Sequence, residues 1–303
     1  MLKRTERSST GKRKTTAWIG GIPREIVSPR EWQRARAAMT RREKRHMRSS
    51  DAVAVARRRM PWMKIEKDYV FEGPGGRVGL PELFEGRPQL ILYHFMFGPE
   101  VEGWPEKGCV GCSMVADQIC HLDHLHARGV TFAMVSAAPL EDIERLRARY
   151  GWTRWPWYSG TAEFNRDLDV SDESGNSFGM NVFYRDGRDV YRTHFVARRG
   201  IEAFGTSWSF LDVVPLGRQE NWQVAPPGTP QSPPYEWWRR HGEYDPEVLG
   251  GAAEAHAPSL PRRSASGEQH RRLEAERRGT ADHDRYGRGE QELREGLGCH
   301  VAD

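Results

Sequence analysis

Two of this chain's four cysteines stand three positions apart, in Cys109-Val110-Gly111-Cys112. Thiols at that spacing can exchange a disulfide or ligate a metal. An apolar run, Leu90 to Phe97, precedes them, and a helix-like stretch from Ser113 to about Arg128 follows. A strand, a loop and a Cys-x-x-Cys opening a helix is the layout of a thiol–disulfide active site. The unpaired N–H groups of a first helical turn carry roughly half a positive charge. A thiolate is stabilised there, so the thiol pKa falls below its free value of about 8.5. Cys109, at the helix start, is the expected attacker, and Cys112 the sulfur that resolves a mixed disulfide.

Other residues bear on this chemistry. His94, in the apolar run, is read first as a satisfied core histidine and second as a group that tunes the thiolate. Trp104 either covers the thiol pair or packs its loop. His121 and His124 lie downstream of the cysteines, and two Cys with two His can make a tetrahedral zinc site. Position 121 is nine residues beyond Cys112, about 13–14 Å along a continuous helix, so no metal site is expected. Cys120, beside an apolar helical stripe, is expected to be a small buried filler, and Cys299 to be incidental. Trp152, Trp155, Trp157 and Tyr158 are expected in the core rather than around a pocket. Arg185 and Arg192, near a hairpin turn, are expected to be solvated.

The elements that position these residues follow from pattern. Lys67–Phe71 and Val78–Leu80 read as strands about a Gly-Pro turn. Gln89–Phe97 is almost wholly apolar and reads as a central strand buried on both faces. Val115, Ile119, Leu122 and Leu125 give the next helix one apolar stripe. Val130–Ser136 reads as a second strand, parallel to the first because a helix crosses between them. A helix from Pro139 to Tyr150, a short strand near Trp155–Ser159, a hairpin over Val182–Phe195 and a helix over Gly200–Val213 complete the domain. This order is that of an α/β, thioredoxin-type sandwich.

Outside it, Ser28-Pro29-Arg30-Glu31 carries a capping box, which opens a helix running to about Arg59. Ser49-Ser50-Asp51 is expected to interrupt that helix, and Trp32, Ala35 and Met39 to form its buried stripe. The domains are read as a disordered basic arm (1–26), a helical extension (27–60), a thioredoxin-like domain (61–245) and a disordered tail (246–303) poor in apolar residues.

The 303 residues are 37% hydrophobic and 29% charged, a soluble balance, and no run reaches the roughly 18–20 apolar residues that span a bilayer. The N-terminus has no apolar segment of signal-peptide type. The chain is therefore expected to be cytoplasmic, where a Cys-x-x-Cys does redox or metal chemistry. Residues 1–60 hold 18 Lys/Arg against 5 Asp/Glu, although the whole chain is only +4. A basic arm can meet nucleic acid, but no base-reading motif accompanies it, and a solvated helix is the plainer reading.

Four runs together resemble the thioredoxin-like domain of unknown function 899 family: Lys67–Gly73, Leu92–Phe97, Gly108–Ser113 and Asp212–Glu220. Glu31-Trp32 and Arg57–Pro61 are similar to that family's N-terminal segment. The likeness covers about Val27 to Glu243. It implies a thioredoxin-like (peroxiredoxin-like) fold, a three-layer α/β sandwich, here with an N-terminal helical extension and disordered tails. Two departures from ordinary thioredoxins stand out. Eleven residues separate Phe97 from Cys109, and Ser174–Met180, where a thioredoxin places its cis-proline, contains no proline.

The expected function is a thiol–disulfide oxidoreductase or thiol peroxidase using Cys109 and Cys112 without an organic cofactor. Its partners would be a disulfide or peroxide substrate and an external thiol reductant. A homodimer is left open, and no membrane or nucleic-acid partner is expected. The rival is a non-catalytic thioredoxin-fold binding or structural module.

Overall fold

The computed structural model describes residues 15–246 apart from 20, 173 and 174. All of them lie in the first of the chain's two units, Met1–His256. The segment 1–26, expected to be disordered, carries a hairpin in its described part: β1 (Thr15–Ile19) pairs antiparallel with β2 (Ile22–Ile26). The rest of that arm, and the tail from 247 with Cys299, lie outside the described residues.

Helix α1 (Pro29–Arg59) starts where the sequence says it should. Ser28 Oγ accepts the Glu31 N–H, and the Glu31 carboxylate accepts the Ser28 N–H at 3.1 Å, which satisfies two of the otherwise orphaned donors. It ends at Met60, where Pro61 disfavours further helix. Two expectations fail here. The helix runs unbroken through Ser49-Ser50-Asp51, because without Gly or Pro those residues cost only a few tenths of a kcal/mol each. None of its residues is buried, so Trp32, Ala35 and Met39 form no core stripe.

Eight of the remaining strands build one mixed sheet. In chain order the remaining elements are β3 (Met63–Lys64), β4 (Val70–Gly73), β5 (Gly76–Gly79), a 3-10 turn at Leu80–Phe84, and β6 (Gln89–His94). Then come α2 (Val110–Asp117), α3 (Asp123–His126), β7 (Val130–Ser136), α4 (Leu140–Tyr150), β8 (Trp157–Ser159) and α5 (Ala162–Asp167). A small pair, β9 (Ser171–Asp172) and β10 (Gly175–Asn176), leads to the hairpin β11 (Gly179–Asp186) and β12 (Asp189–Ala197). A 3-10 turn at Arg198–Phe204 and α6 (Thr206–Leu211) follow.

The sheet order is β3-β12-β11-β6-β7-β8-β4-β5. β6 and β7 are parallel across the α2–α3 crossover, and β11 runs antiparallel beside β6. A βαβ unit with a hairpin added on the β6 side is the thioredoxin-type arrangement, and the fold is of that class. Alternation along β6 sends Leu90 and Leu92 to one face and Tyr93 to the other, so both faces are buried. One apolar cluster holds Tyr93, Phe95, Cys112, Ile143, Leu146 and Trp157. The opposite one holds Leu83, Phe84, Leu90, Leu92, Phe164 and Phe183. The four aromatics of the 152–158 cluster are all core residues. Among the described residues no helix is long and apolar enough to cross a membrane.

The helix after the cysteines departs from expectation. It does not run from Ser113 to Arg128 but stops at Asp117 and resumes as α3. Gln118 explains the break. Its side-chain amide donates to the Met114 carbonyl at 2.7 Å, and its side-chain oxygen accepts the Ser207 N–H at 2.5 Å, tying this point to α6. The interruption leaves Cys120 exposed rather than buried.

Candidate active site

The eleven-residue loop between Phe97 and Cys109 does not carry the motif away from its strand. The Cys109 N–H donates to the Met96 carbonyl at 3.1 Å, and the Met96 N–H points at Cys112 Sγ at 3.5 Å. The chain thus returns to the end of β6 before α2 begins. Gly108 is required at the closure, since a Cβ there would collide with the Phe95 ring.

Cys109 is the N-cap of α2. Its sulfur accepts the Cys112 N–H at 3.4 Å, the role a Ser or Asp oxygen usually fills, and its carbonyl accepts from Ser113 N–H at 3.0 Å and Ser113 Oγ at 2.9 Å. Cys109 is half-buried and Cys112 is 1% exposed. Both are free thiols.

Their environments divide them chemically. The Cys109 thiol is lowered to about 7 by the Cys112 thiol hydrogen bond first, then by the Cys112 and Gly111 N–H groups and the charge of Arg240, all against the penalty of burial. Cys112 is pushed well above the ordinary range, first by burial and then by the neighbouring Cys109. Tyr93 completes the floor. Its buried hydroxyl makes no hydrogen bond of normal geometry but lies close to Cys112, and burial keeps it protonated. An acidified sulfur on a half-buried residue beside a protonated, enclosed one is a pair chemically able to attack and then to resolve.

Of the supporting candidates, Trp104 packs its ring on Phe97 at 5.0 Å, within the apolar cluster that borders Cys109. His94 is elsewhere. It faces the opposite side of the sheet and stacks on Phe164, with Nδ1 2.9 Å from Asn165 Oδ1 and Nε2 3.0 Å from Asn181 Nδ2. Burial depresses it to about 4, so it is a neutral, satisfied core group away from the sulfurs. Arg192 ends that chain of contacts, donating to Asn181 Oδ1 at 2.6 Å and to Asp169 at 2.7 Å, and Arg185 donates to the Pro81 carbonyl at 3.0 Å. Neither arginine is simply solvated.

The helix break removes the distance argument against zinc, yet His121 sits exposed at 3.5 Å from Asp123. Among the described residues no three His, Cys, Asp or Glu side chains converge as metal ligands. A hollow of about 450 Å³ between Met63, Lys67, Tyr69 and Asp167 is lined by neither cysteine.

A C-terminal strap, missing from the sequence expectations, closes over the motif. Buried Glu220 anchors it, accepting the Tyr235 N–H at 3.0 Å and the Trp237 indole N–H at 2.8 Å. Beyond this anchor Trp238 lies on Gly111, and Arg240 donates from Nε to the Gly108 carbonyl at 2.9 Å. His241 reaches Asp117 at 2.6 Å, and Glu243 takes Lys107 at 2.7 Å. The sequence signal was Trp237-Trp238-Arg239-Arg240. Two adjacent tryptophans are a large apolar area for an arm left in water.

Residues 22–244 match a described family, bacterial proteins of unknown function (DUF899). The chain belongs to this family. No curated protein matches the chain. Among solved structures, a cysteine-to-serine mutant of PrxQ from Xylella fastidiosa is 15% identical, with 46% of this chain covered, 88% of that one and a TM-score of 0.32. Bacterioferritin comigratory protein of Xanthomonas campestris, described in terms of alkyl peroxide reduction, is 16% identical over 45% of this chain and 87% of that one, TM-score 0.31. Oxidised Prx3 of Vibrio vulnificus is 17% identical over 48% and 89%, TM-score 0.30. The DUF899 assignment fixes kinship, and the chemistry has to be argued from the site.

Proposed function

We propose that this DUF899 protein is a thiol–disulfide oxidoreductase or thiol peroxidase in which Cys109 attacks and Cys112 resolves. One observation carries the reading. Cys109 caps α2 with its own sulfur and is acidified to about 7, while Cys112, fully buried, keeps its proton.

With a hydroperoxide, the Cys109 thiolate attacks the terminal oxygen and the O–O bond breaks. The alkoxide takes a proton and leaves as an alcohol, and Cys109 becomes a sulfenic acid. The Cys112 sulfur then attacks the Cys109 sulfur, and the hydroxyl leaves with the Cys112 proton as water. With a disulfide, the Cys109 thiolate displaces one substrate thiolate and forms a mixed disulfide. Cys112 then displaces the other. In both cases two electrons pass from the cysteine pair to the substrate, and an external thiol reductant returns them.

The test is to treat the reduced protein with stoichiometric hydroperoxide or a small disulfide and locate the product by mass after alkylation. A Cys109–Cys112 bond is expected. Oxidation that never joins these sulfurs, or turnover retained in Cys109→Ser, overturns the proposal.

A further inference from the structure

We propose that Arg240 is a positioning residue of this site. From the strap folded over the mouth of α2, it holds the turn that carries Cys109 and sets a fixed positive charge beside the attacking sulfur. This rests on the thiol reading above and extends it to a residue 132 positions from the turn it grips.

The geometry is specific. Arg240 is 7% exposed. Its Nε and Nη2 both donate to the carbonyl of Gly108, the residue immediately before Cys109, and its Nη1 donates to Glu243 at 3.1 Å. A guanidinium presents its donors as a rigid fork, so gripping one carbonyl with two of them fixes the Gly108–Cys109 peptide. Its charge is only partly matched. Glu243 is shared with Lys107 at 2.7 Å and with the Tyr150 hydroxyl at 3.5 Å, leaving two cations to one carboxylate.

The other groups facing Cys109 supply no competing charge. They are the Cys112 thiol, the Gly111 and Cys112 N–H groups, and the protonated Tyr93 phenol of β6. Asp117, at the far end of α2, is already held by the Trp152 indole at 2.8 Å and by His241. A positive charge held near a thiol favours its ionised form, and the Arg240 charge acts on Cys109 in that direction. Thiol reactivity is thereby tied to the seating of the strap.

The experiment is the pH dependence of Cys109 alkylation by iodoacetamide in the full reduced chain. It compares wild type with Arg240→Gln and Arg240→Lys, with melting recorded for each. Arg240→Gln should raise the midpoint by about one unit, slowing alkylation at pH 6 by about fivefold to tenfold, while Arg240→Lys stays closer to wild type. Superimposable profiles, or an equal shift in both variants, overturn the proposal. If Arg240→Gln does not fold, Glu243→Gln decides. It keeps the cation and removes its counter-charge, so the midpoint should fall or hold, and a rise overturns the proposal. The outcome is separable from the proposed function, since a Cys109–Cys112 bond is scored by mass whatever this midpoint does.

Discussion

The Trp238 ring lies so close to Gly111 that a Cβ built on that glycine would sit 2.9 Å from Cζ3. This contact seats the strap on the first turn of α2, two residues beyond Cys109. Gly111→Ala therefore sets two effects against each other. Alanine favours the helix by about 1 kcal/mol, whereas forcing a methyl under a packed indole costs about 1–3 kcal/mol. The second should win, because Trp238 also packs on Trp208 at 5.4 Å and Tyr235 at 4.6 Å and has little room to retreat. The variant should melt lower than wild type, and its indole emission should shift to longer wavelength as the strap lifts. An unchanged melt with unchanged emission would show that the strap does not press on α2 in solution.

The two thiols give stability opposite dependences on pH. Cys109 has a depressed folded value of about 7 against 9.0 unfolded, so ionisation favours the folded state. Its contribution is fully present above about pH 9 and is lost as pH falls through 7. Cys112, raised well above 9.0, favours the folded state only while protonated, and its contribution is lost at higher pH. Under reducing conditions wild type should gain stability over Cys109→Ser between pH 7 and 9, measured by denaturant unfolding at each pH. A difference that stays constant across that window would mean the thiol is not acidified.

His94 allows a separate test on the other face of the sheet. Buried and neutral, it titrates near 4 in the fold against 6.5 in its absence. A histidine with a depressed folded value stabilises fully above the unfolded value and loses that contribution as pH falls. The loss between pH 6.5 and 4 amounts to about 3 kcal/mol. His94→Phe removes this dependence and the two hydrogen bonds that the ring makes with Asn165 and Asn181, at a cost of about 1–3 kcal/mol at neutral pH. The variant should be less stable than wild type at pH 7, and the gap should close or reverse near pH 4. Its Cys109 alkylation profile should be unchanged. A moved alkylation profile would give His94 the tuning role that its position argues against.

The placement of the cysteine motif at a helix start and the β6–β7 unit were legible in the sequence because both are local. A Cys-x-x-Cys after an apolar run, and a helix bounded by Ser28 and Pro61, are written within a few neighbouring residues. What stayed hidden was written at long range. Arg240 reads as one of many surface arginines until the chain folds back onto Gly108. Gln118 gives no local breaking signal, and it ends α2 only because the Ser207 N–H of α6 donates to its side-chain oxygen. Cys120 was misplaced for the same reason, since its expected burial assumed a helix that Gln118 interrupts. The exposure of Trp32 and Met39 was equally hidden. Periodicity reports that a stripe exists and is silent on whether anything covers it.

That uncovered stripe leads to the last prediction. α1 is 31 residues, about 46 Å long, with no buried side chain, and Trp32, Met39, Met47 and Val53 are all exposed. Helices draw most of their stability in proteins from tertiary packing, and propensity with capping contributes little. On the present geometry α1 should therefore melt or exchange independently of the sheet. Its amides should exchange orders of magnitude faster than those of β6 and β7. A proline in its interior, Ala38→Pro, costs the helix about 3 kcal/mol. Yet the domain should melt within about 3 °C of wild type, since 1 kcal/mol shifts a domain of this size by about 2–4 °C. Hydrogen exchange followed by mass spectrometry and a thermal melt check both points. Slow exchange along α1, or a melt lowered by much more, would mean that the helix is packed in solution against a surface other than its own domain. Sedimentation of the full chain would then show whether that surface is a second copy.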